Sequence, residues 1–393
     1  MKRLFFFIVI LMGLTPQVIG QIHFAEVLKA VEENSPVLKS ARVQSEAAQS
    51  AVHVGLLLPN PTIEAGYFFP SPNELGIRWD LRASQSFEFP TVIAHRAHLR
   101  DLQEQAAAIG YQTVRAATLL NAQLLCADQV YYNAVFNIYS RRCVAAFRLV
   151  DLYQKRYQSG ECSVLEYNRA QMYLADVQDQ ASRCGLQSDH VTHELQTLLG
   201  SNNYQLLQME YEEMVVEADF DQWFHRHEMN HPELRMLDNR LSTSQQQLAL
   251  SKSQWMPEFS VGYASENRVN ETFRGVTVGL SIPLWSQQRA VKASRLALEA
   301  AQEEMSTQRY QLYNSLQCIF HRYSAMINVV SNLKQALEQY NSVDLLEKAL
   351  VAGEINLEQY LLQVDSYYDL ELRLCEASHE LEVLHLNLYA IEL

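Results

Sequence analysis

The sequence has no apolar run long enough to cross a bilayer as a helix. Such a span needs about 20 consecutive apolar residues, and the longest run here, Leu4 to Leu14, has eleven. That run follows Lys2 and Arg3 and precedes a small or polar exit from Thr15 to Gly20. It reads as a secretory signal over residues 1–20, cleaved near Gly20–Gln21. No cysteine stands at that junction, which argues against a lipid anchor. Basic residues are in deficit: 31 Lys and Arg against 45 Asp and Glu, a formal charge of −14. A chain so acidic is a poor partner for nucleic acid. No H-E-x-x-H, G-x-S-x-G or P-loop pattern occurs, so neither an enzyme nor a cofactor is expected. The six cysteines, at positions 126, 143, 162, 184, 318 and 375, form no C-x-x-C pair and no zinc spacing. Cys126 and Cys143 would lie roughly 25 Å apart on one helix, too far to bridge. Most of the cysteines are therefore read as small apolar residues.

Proline is missing from two long stretches, between Pro90 and Gly160 and between Pro283 and Gly353. Each could form about 105 Å of unbroken helix. The two stretches correspond, because the chain repeats itself. Asn34, Pro36 and Leu38 recur as Asn230, Pro232 and Leu234, and Pro61, Gly66 and Tyr67 as Pro257, Gly262 and Tyr263. Three residues out of step, Pro90, Arg96 and Ala97 recur as Pro283, Arg289 and Ala290. Lys155, Gly160, Glu161, Tyr167 and Asp176 recur as Lys348, Gly353, Glu354, Tyr360 and Asp369. An internal duplication is expected, with a first repeat over 21–200 and a second over 201–393.

Each half opens with a helix, about Phe24–Leu57 and Phe220–Ser253. A strand pair follows, bounded by Pro61 and Pro90 in the first half and by Pro257 and Pro283 in the second. Leu81, Ala83, Phe87 and Phe89 alternate with polar residues, as do Val276, Val278, Leu280 and Ile282 with Gly275, Thr277, Gly279 and Ser281. Period two means one apolar and one polar face. A soluble sheet would alternate in the same way. Four strands in so long a helical chain fit a membrane barrel better, with Tyr67, Phe68, Phe69, Trp79, Trp255, Tyr263, Phe273 and Trp285 near the strand ends as a girdle.

The long helices are expected to end at Gly160 and Gly353, a residue that favours helix C-termini, with Ser163 and Asn356 capping the return helices. Tyr367, Leu370, Leu374, Ala377, Leu381, Leu384, Leu388 and Ile391 fall at spacings of three and four, a coiled-coil seam. Leu174, Val177, Ala181, Cys184, Ser188, Val191, Leu195 and Leu198 hold the same spacing in the first half. Three histidine groups invite a metal reading: His95 with His98; His190 and His193 with Glu194; and His225, His227 and His231. Each lacks the full ligand set that a site requires, so no metal is expected.

In order and twice over, these motifs resemble the TolC family of outer-membrane efflux proteins, in its heavy-metal (Czc/Cus-type) RND branch. They are N-x-P-x-L at Asn34–Leu38 and Asn230–Leu234, Leu-Pro-Asn-Pro at Leu58–Pro61, the strand ends at Pro90 (S-x-x-x-P) and Pro283, and the Gly-Glu tips at 160 and 353. The resemblance implies a mainly α fold with a transmembrane β-barrel portion. Each chain would give four strands and two helical hairpins, and a homotrimer would close a 12-stranded barrel continued by a coiled-coil barrel of helices in the periplasm. Four strands cannot close a barrel alone, since membrane barrels start at eight. The implied partners are outer-membrane lipid, a periplasmic adaptor (membrane fusion protein) and an inner-membrane RND-type pump. The tip residues Gly160, Glu161, Ser163, Tyr167, Gly353, Glu354, Asn356 and Tyr360 would dock the adaptor. Glu354, Glu358, Gln359, Leu362 and Asp365 would line the aperture. Some members carry aspartates where this chain has Gln359 and Leu362. The implied function is a passive exit duct for small solutes, heavy-metal cations among them. A duct for type I protein secretion and a soluble periplasmic coiled-coil scaffold are the alternatives.

Overall fold

A computed structural model describes residues 24–54, 59–69, 77–201, 211, 219–268, 271–283, 285, 287–340 and 343–393. The expected signal peptide lies outside them. The elements run α1 (Phe24–Asn34), α2 (Pro36–Val54), β1 (Thr62–Phe68), β2 (Arg78–Phe87), α3 (Pro90–Gln158) and α4 (Val164–Leu199). They continue with α5 (Phe220–His227), α6 (Pro232–Ser253), β3 (Glu258–Arg268), β4 (Glu271–Ser281), α7 (Gln287–Gln339), α8 (Val343–Ala352) and α9 (Leu357–Tyr389). The mainly helical fold with four strands matches the sequence expectation.

Three boundaries differ from it. The first helix breaks at Ser35, the residue before Pro36, where the proline ring disfavours helical backbone. The Ser35 amide closes α1 by donating to the Val31 carbonyl at 2.9 Å. The second long helix is not continuous, because α7 stops at Gln339 and α8 starts at Val343. Proline is absent there, and the Tyr340 N–H closes α7 by donating to the Ala336 carbonyl at 3.0 Å. Strand β3 runs five residues beyond Tyr263. Its extension, Ala-Ser-Glu-Asn-Arg, has no apolar alternation to announce it and is fixed by pairing with both neighbours.

The chain divides into two compact units. One comprises the residues up to Ser35, Ala122–Glu213 and Val329–Glu382. Here the first seam is built as a heptad, with Ala170, Val177, Cys184 and Val191 buried at intervals of seven. Ser188 interrupts the apolar row. Its hydroxyl accepts from Gln129 Nε2 at 2.8 Å, and Thr192 donates to Gln129 Oε1 at 2.9 Å. A buried glutamine is thus satisfied. On α9 the expected row holds at Ala377, Leu384 and Leu388, which are buried, whereas nearer the tip Leu357, Leu361, Val364 and Tyr368 are buried and Tyr367 is half-buried.

The other unit comprises Pro36–Asn121, Met214–Asn328 and Val383–Leu393. Its core includes an aromatic cluster absent from the sequence reading. Phe220, Trp223 and Phe224 of α5 are buried, with Phe220 at 5.3 Å from the Tyr313 ring and 5.4 Å from Phe320. The same unit holds all four strands in one antiparallel sheet of order β1-β2-β3-β4.

Candidate functional site

The sheet is two-faced, and its register shows how. Tyr67 pairs with Trp79, Ala65 with Leu81, and Ile63 with Ala83. Ala83 continues to Tyr263 and Val276, Gln85 to Val261 and Val278, and Phe87 to Phe259 and Leu280. All of these point to one face. In a soluble protein that face would be covered, yet Ile63, Val276 and Val278 are 72%, 74% and 78% exposed. An uncovered apolar face of this extent marks an interaction surface. Trp79 and Phe87, eight residues apart on β2, stand about 27 Å apart along the strand, which suits a tilted strand in an apolar band about 25 Å tall. Gln85, the polar residue in this face, donates its amide to the Pro59 carbonyl at 2.6 Å.

The opposite face is charged, and its arginines are paired. Arg78 meets Glu266 at 3.0 Å, and Arg268 reaches the same carboxylate at 2.8 Å. It is also tightly packed. A Cβ on Gly262 would lie 2.7 Å from the Ala83 carbonyl oxygen, so only glycine fits. Pro61 and Pro257 directly precede β1 and β3, Pro283 follows β4, and Pro90 is the first residue of α3. There a missing N–H leaves no helix bond unmade.

The two tips are built alike. Gly160 and Gly353 hold left-handed backbone, at φ 79° and 76°. Glu161 N–H donates to the Arg156 carbonyl at 2.8 Å and Gly160 N–H to Tyr157 at 3.1 Å. Glu354 repeats the first bond to Ala349 at 2.9 Å, and Gly353 the second to Leu350 at 3.2 Å. Both helices therefore end in Schellman motifs. Each return helix then opens on a capping box. Glu166 N–H donates to the Ser163 hydroxyl at 3.3 Å while Ser163 N–H donates to the Glu166 carboxylate at 2.8 Å. Those bonds from Ser163 hold the Glu166 carboxyl below the usual range. At the second tip Gln359 N–H donates to Asn356 Oδ1 at 2.8 Å, and Asn356 N–H to Gln359 Oε1 at 3.1 Å.

The tips share one core, in which Tyr153 and Ala170 pack with Leu350, Leu357, Tyr360 and Leu361. Arg156, which the sequence reading did not single out, joins them. Its Nη2 donates to the carbonyls of Leu350 and Val351 at 3.2 and 3.1 Å, satisfying the end of α8. Among the residues expected to dock a partner, Glu161, Ser163, Gly160, Gly353 and Glu354 are exposed, and Tyr167 is half-buried. Tyr167 stacks on Tyr157 with centroids 5.7 Å apart. Tyr360 is only 4% exposed, and burial pushes its hydroxyl up to about 12.

The expected aperture residues divide in the same way. Glu354 and Glu358 are exposed, and Leu362 is 70% exposed. Gln359 is committed to the Asn356 cap. Asp365 is bound by Arg142 Nη2 at 2.5 Å, and Arg142 Nε donates to the Tyr173 hydroxyl at 3.1 Å. The Arg142 guanidinium lies against the rings of Tyr173 and Tyr368. A buried arginine thus pairs with the one aspartate among the expected aperture residues.

The histidine groups serve local structure. His231 Nδ1 accepts from Glu233 N–H at 3.3 Å and caps α6. His227 hydrogen-bonds the Trp223 carbonyl at 2.7 Å, His95 faces Gln246 at 3.0 Å, and His190 faces Glu194 at 3.4 Å. Among the described residues no three His, Cys, Asp or Glu side chains gather as a metal site. Cys126 and Cys184 are buried as expected of small apolar residues, and burial pushes the Cys375 thiol up to about 11. Cys318 departs from that reading, being exposed.

Residues 223–391 match the sequence profile of a family described as outer membrane efflux protein. That match falls within the second half of the chain. The fold extends the likeness to nearly the whole chain. A membrane protein from Pseudomonas aeruginosa superimposes with a TM-score of 0.80 at 12% identity, covering 94% of this chain and 89% of that one. The CmeC outer membrane channel of Campylobacter jejuni gives 0.79 at 12% identity, over 94% and 85% of the two chains. CusC, whose crystal structures concern transmembrane channel formation, gives 0.79 at 12% identity, over 94% and 91%. No curated protein sequence matches. The fold is therefore that of TolC-like channels. No described helix is long and apolar enough to cross a membrane.

Proposed function

We propose that this protein is one protomer of a trimeric exit duct, which passively passes solutes from an inner-membrane RND-type pump and a periplasmic adaptor to the exterior. The observation that carries the reading is the uncovered apolar sheet face, with both sheet edges, β1 and β4, left open within one chain. An open edge cannot stand in hydrocarbon, where unpaired backbone groups have no partner. Closure with further copies resolves both facts, and three copies would give twelve strands. The glycine-capped tips, with Glu161 and Glu354 exposed, are the surface we assign to the adaptor. The exposed Glu354, Glu358 and Leu362 are the residues we assign to the aperture, with Asp365 held back by Arg142. Small solutes are the cargo of this reading, and heavy-metal cations come in through the motif resemblance, which the charge of −14 suits. No step in it calls for catalysis.

The test is extraction. The protein should leave membranes only with detergent and should run as a trimer that collapses to monomer on heating. Recovery as a soluble monomer would contradict the reading and favour the coiled-coil scaffold.

A further inference from the structure

The apolar face of the sheet carries one charge among the described strand residues. Register places Arg274 there: it pairs with Ser265, which lies in the same row as Leu81 and Ala65. Its neighbours on β4 that point the same way are Thr272, Val276, Val278 and Leu280. Arg274 is exposed, and among the described residues it has no carboxylate, hydrogen-bond or ring partner. The contrast with the other face is direct, since Arg78, Arg82 and Arg268 there each meet a glutamate.

Closure of the barrel does not supply the missing partner. The edge strand β1, which another copy would lay against β4, offers Ile63, Ala65 and Tyr67 on this face. Strands β2 and β3 offer Trp79, Leu81, Ala83, Gln85 and Phe87, and Phe259, Val261, Tyr263, Ser265 and Asn267. None is acidic.

The position of Arg274 along the strand gives its counterion. It stands three residues from the start of β4, at the end where Tyr67, Trp79 and Thr272 share a row. That end lies opposite the one from which α3 and α7 continue the chain, so in the duct it is the exterior rim. From there a guanidinium about 7 Å inside the last strand row can extend its stem along apolar surface and hold its head at the lipid headgroups. The anion at that depth is a phosphate, which a guanidinium fork matches in geometry as well as charge.

We propose that Arg274 binds a phosphate of an outer-leaflet lipid, one site per protomer, and so fixes the depth and lipid surroundings of the barrel. The proposal rests on the membrane reading of the sheet, and the test separates the two. Full-length oligomer in phosphatidylcholine nanodiscs is supplied with lipid A, and retained lipid is counted by native mass spectrometry for wild type, Arg274→Gln and Arg274→Lys. Wild type should retain lipid A about fivefold better than Arg274→Gln, as one cation at a membrane surface warrants. Arg274→Lys should keep most of that preference, and millimolar inorganic phosphate should not displace the lipid. Equal retention by wild type and Arg274→Gln in inserted protein overturns this inference alone. Displacement by inorganic phosphate overturns the lipid assignment. A protein that does not enter the nanodisc overturns the membrane reading with it.

Discussion

The two tips share a backbone design and differ in what their side chains do. Gly160 and Gly353 have nearly the same φ, close the same Schellman bonds and precede the same kind of capping box. Yet Tyr167 is half-buried at the edge of the common core, stacked on Tyr157, while its counterpart Tyr360 is sealed within that core. The first box is charged, through Glu166, and the second neutral, through Gln359. The helix entering the first tip is continuous for 69 residues, and the one entering the second is ten residues long. Repeated sequence thus fixes the turn, because the turn depends on local backbone. It does not fix burial, because one tip must lie against the other.

The largest way to sharpen that contrast is through the two tyrosines. Tyr360→Ala should destabilise the protein by about 3 kcal/mol, the cost of emptying a buried aromatic site, and Tyr167→Ala by about 1 kcal/mol. Denaturant titration of both variants checks this, and equal losses would mean that the tips are equivalent after all. Arg156 is a link running one way, from the first tip to the end of α8. Arg156→Ala should cost about 1–2 kcal/mol, with Arg156→Lys recovering part of it. Amide exchange should then rise at Leu350–Glu354 more than at Ser159–Ser163.

The glycines should behave as a matched pair. Nothing lies within 4 Å of a Cβ built on either, so only backbone strain opposes alanine, about 1 kcal/mol at each tip. Unequal melting shifts for Gly160→Ala and Gly353→Ala would break the comparison at its base. The smallest effect separates the caps by pH. The Glu166 carboxyl is held low by its bonds from Ser163. Its stabilisation is therefore present above the unfolded value, about 4.3, and is lost as pH falls through the lower folded value. Gln359 has nothing to titrate. Exchange corrected for intrinsic rate should show the first cap loosening below about pH 4 and the second unchanged.

What could be read from the sequence follows the same division. The glycine ends, the Ser163 and Asn356 caps and the alternation of β2 and β4 were legible, because each is written in residues a few places apart. The absence of proline did not guarantee one helix up to Gly353, because α7 ends at Gln339 with no proline beside it. Arg142 was invisible as a partner of Asp365, 223 residues away. Arg156 was hidden for the same reason, since its acceptors on α8 are 194 and 195 residues distant. Arg274 stood in plain view, one charge on an otherwise apolar period-two face. Its meaning needed the register, which shows that no strand brings it a carboxylate.

The central claim is that copies of this chain close a duct through the outer membrane. Single-channel conductance of the detergent-purified protein in a planar bilayer, with oligomer mass measured on the same sample, tests it most directly. The account predicts a trimer that inserts and gives discrete conductance steps, enlarged when the packing around Gly353 is loosened. A monomer that neither inserts nor conducts, with or without that change, would contradict it.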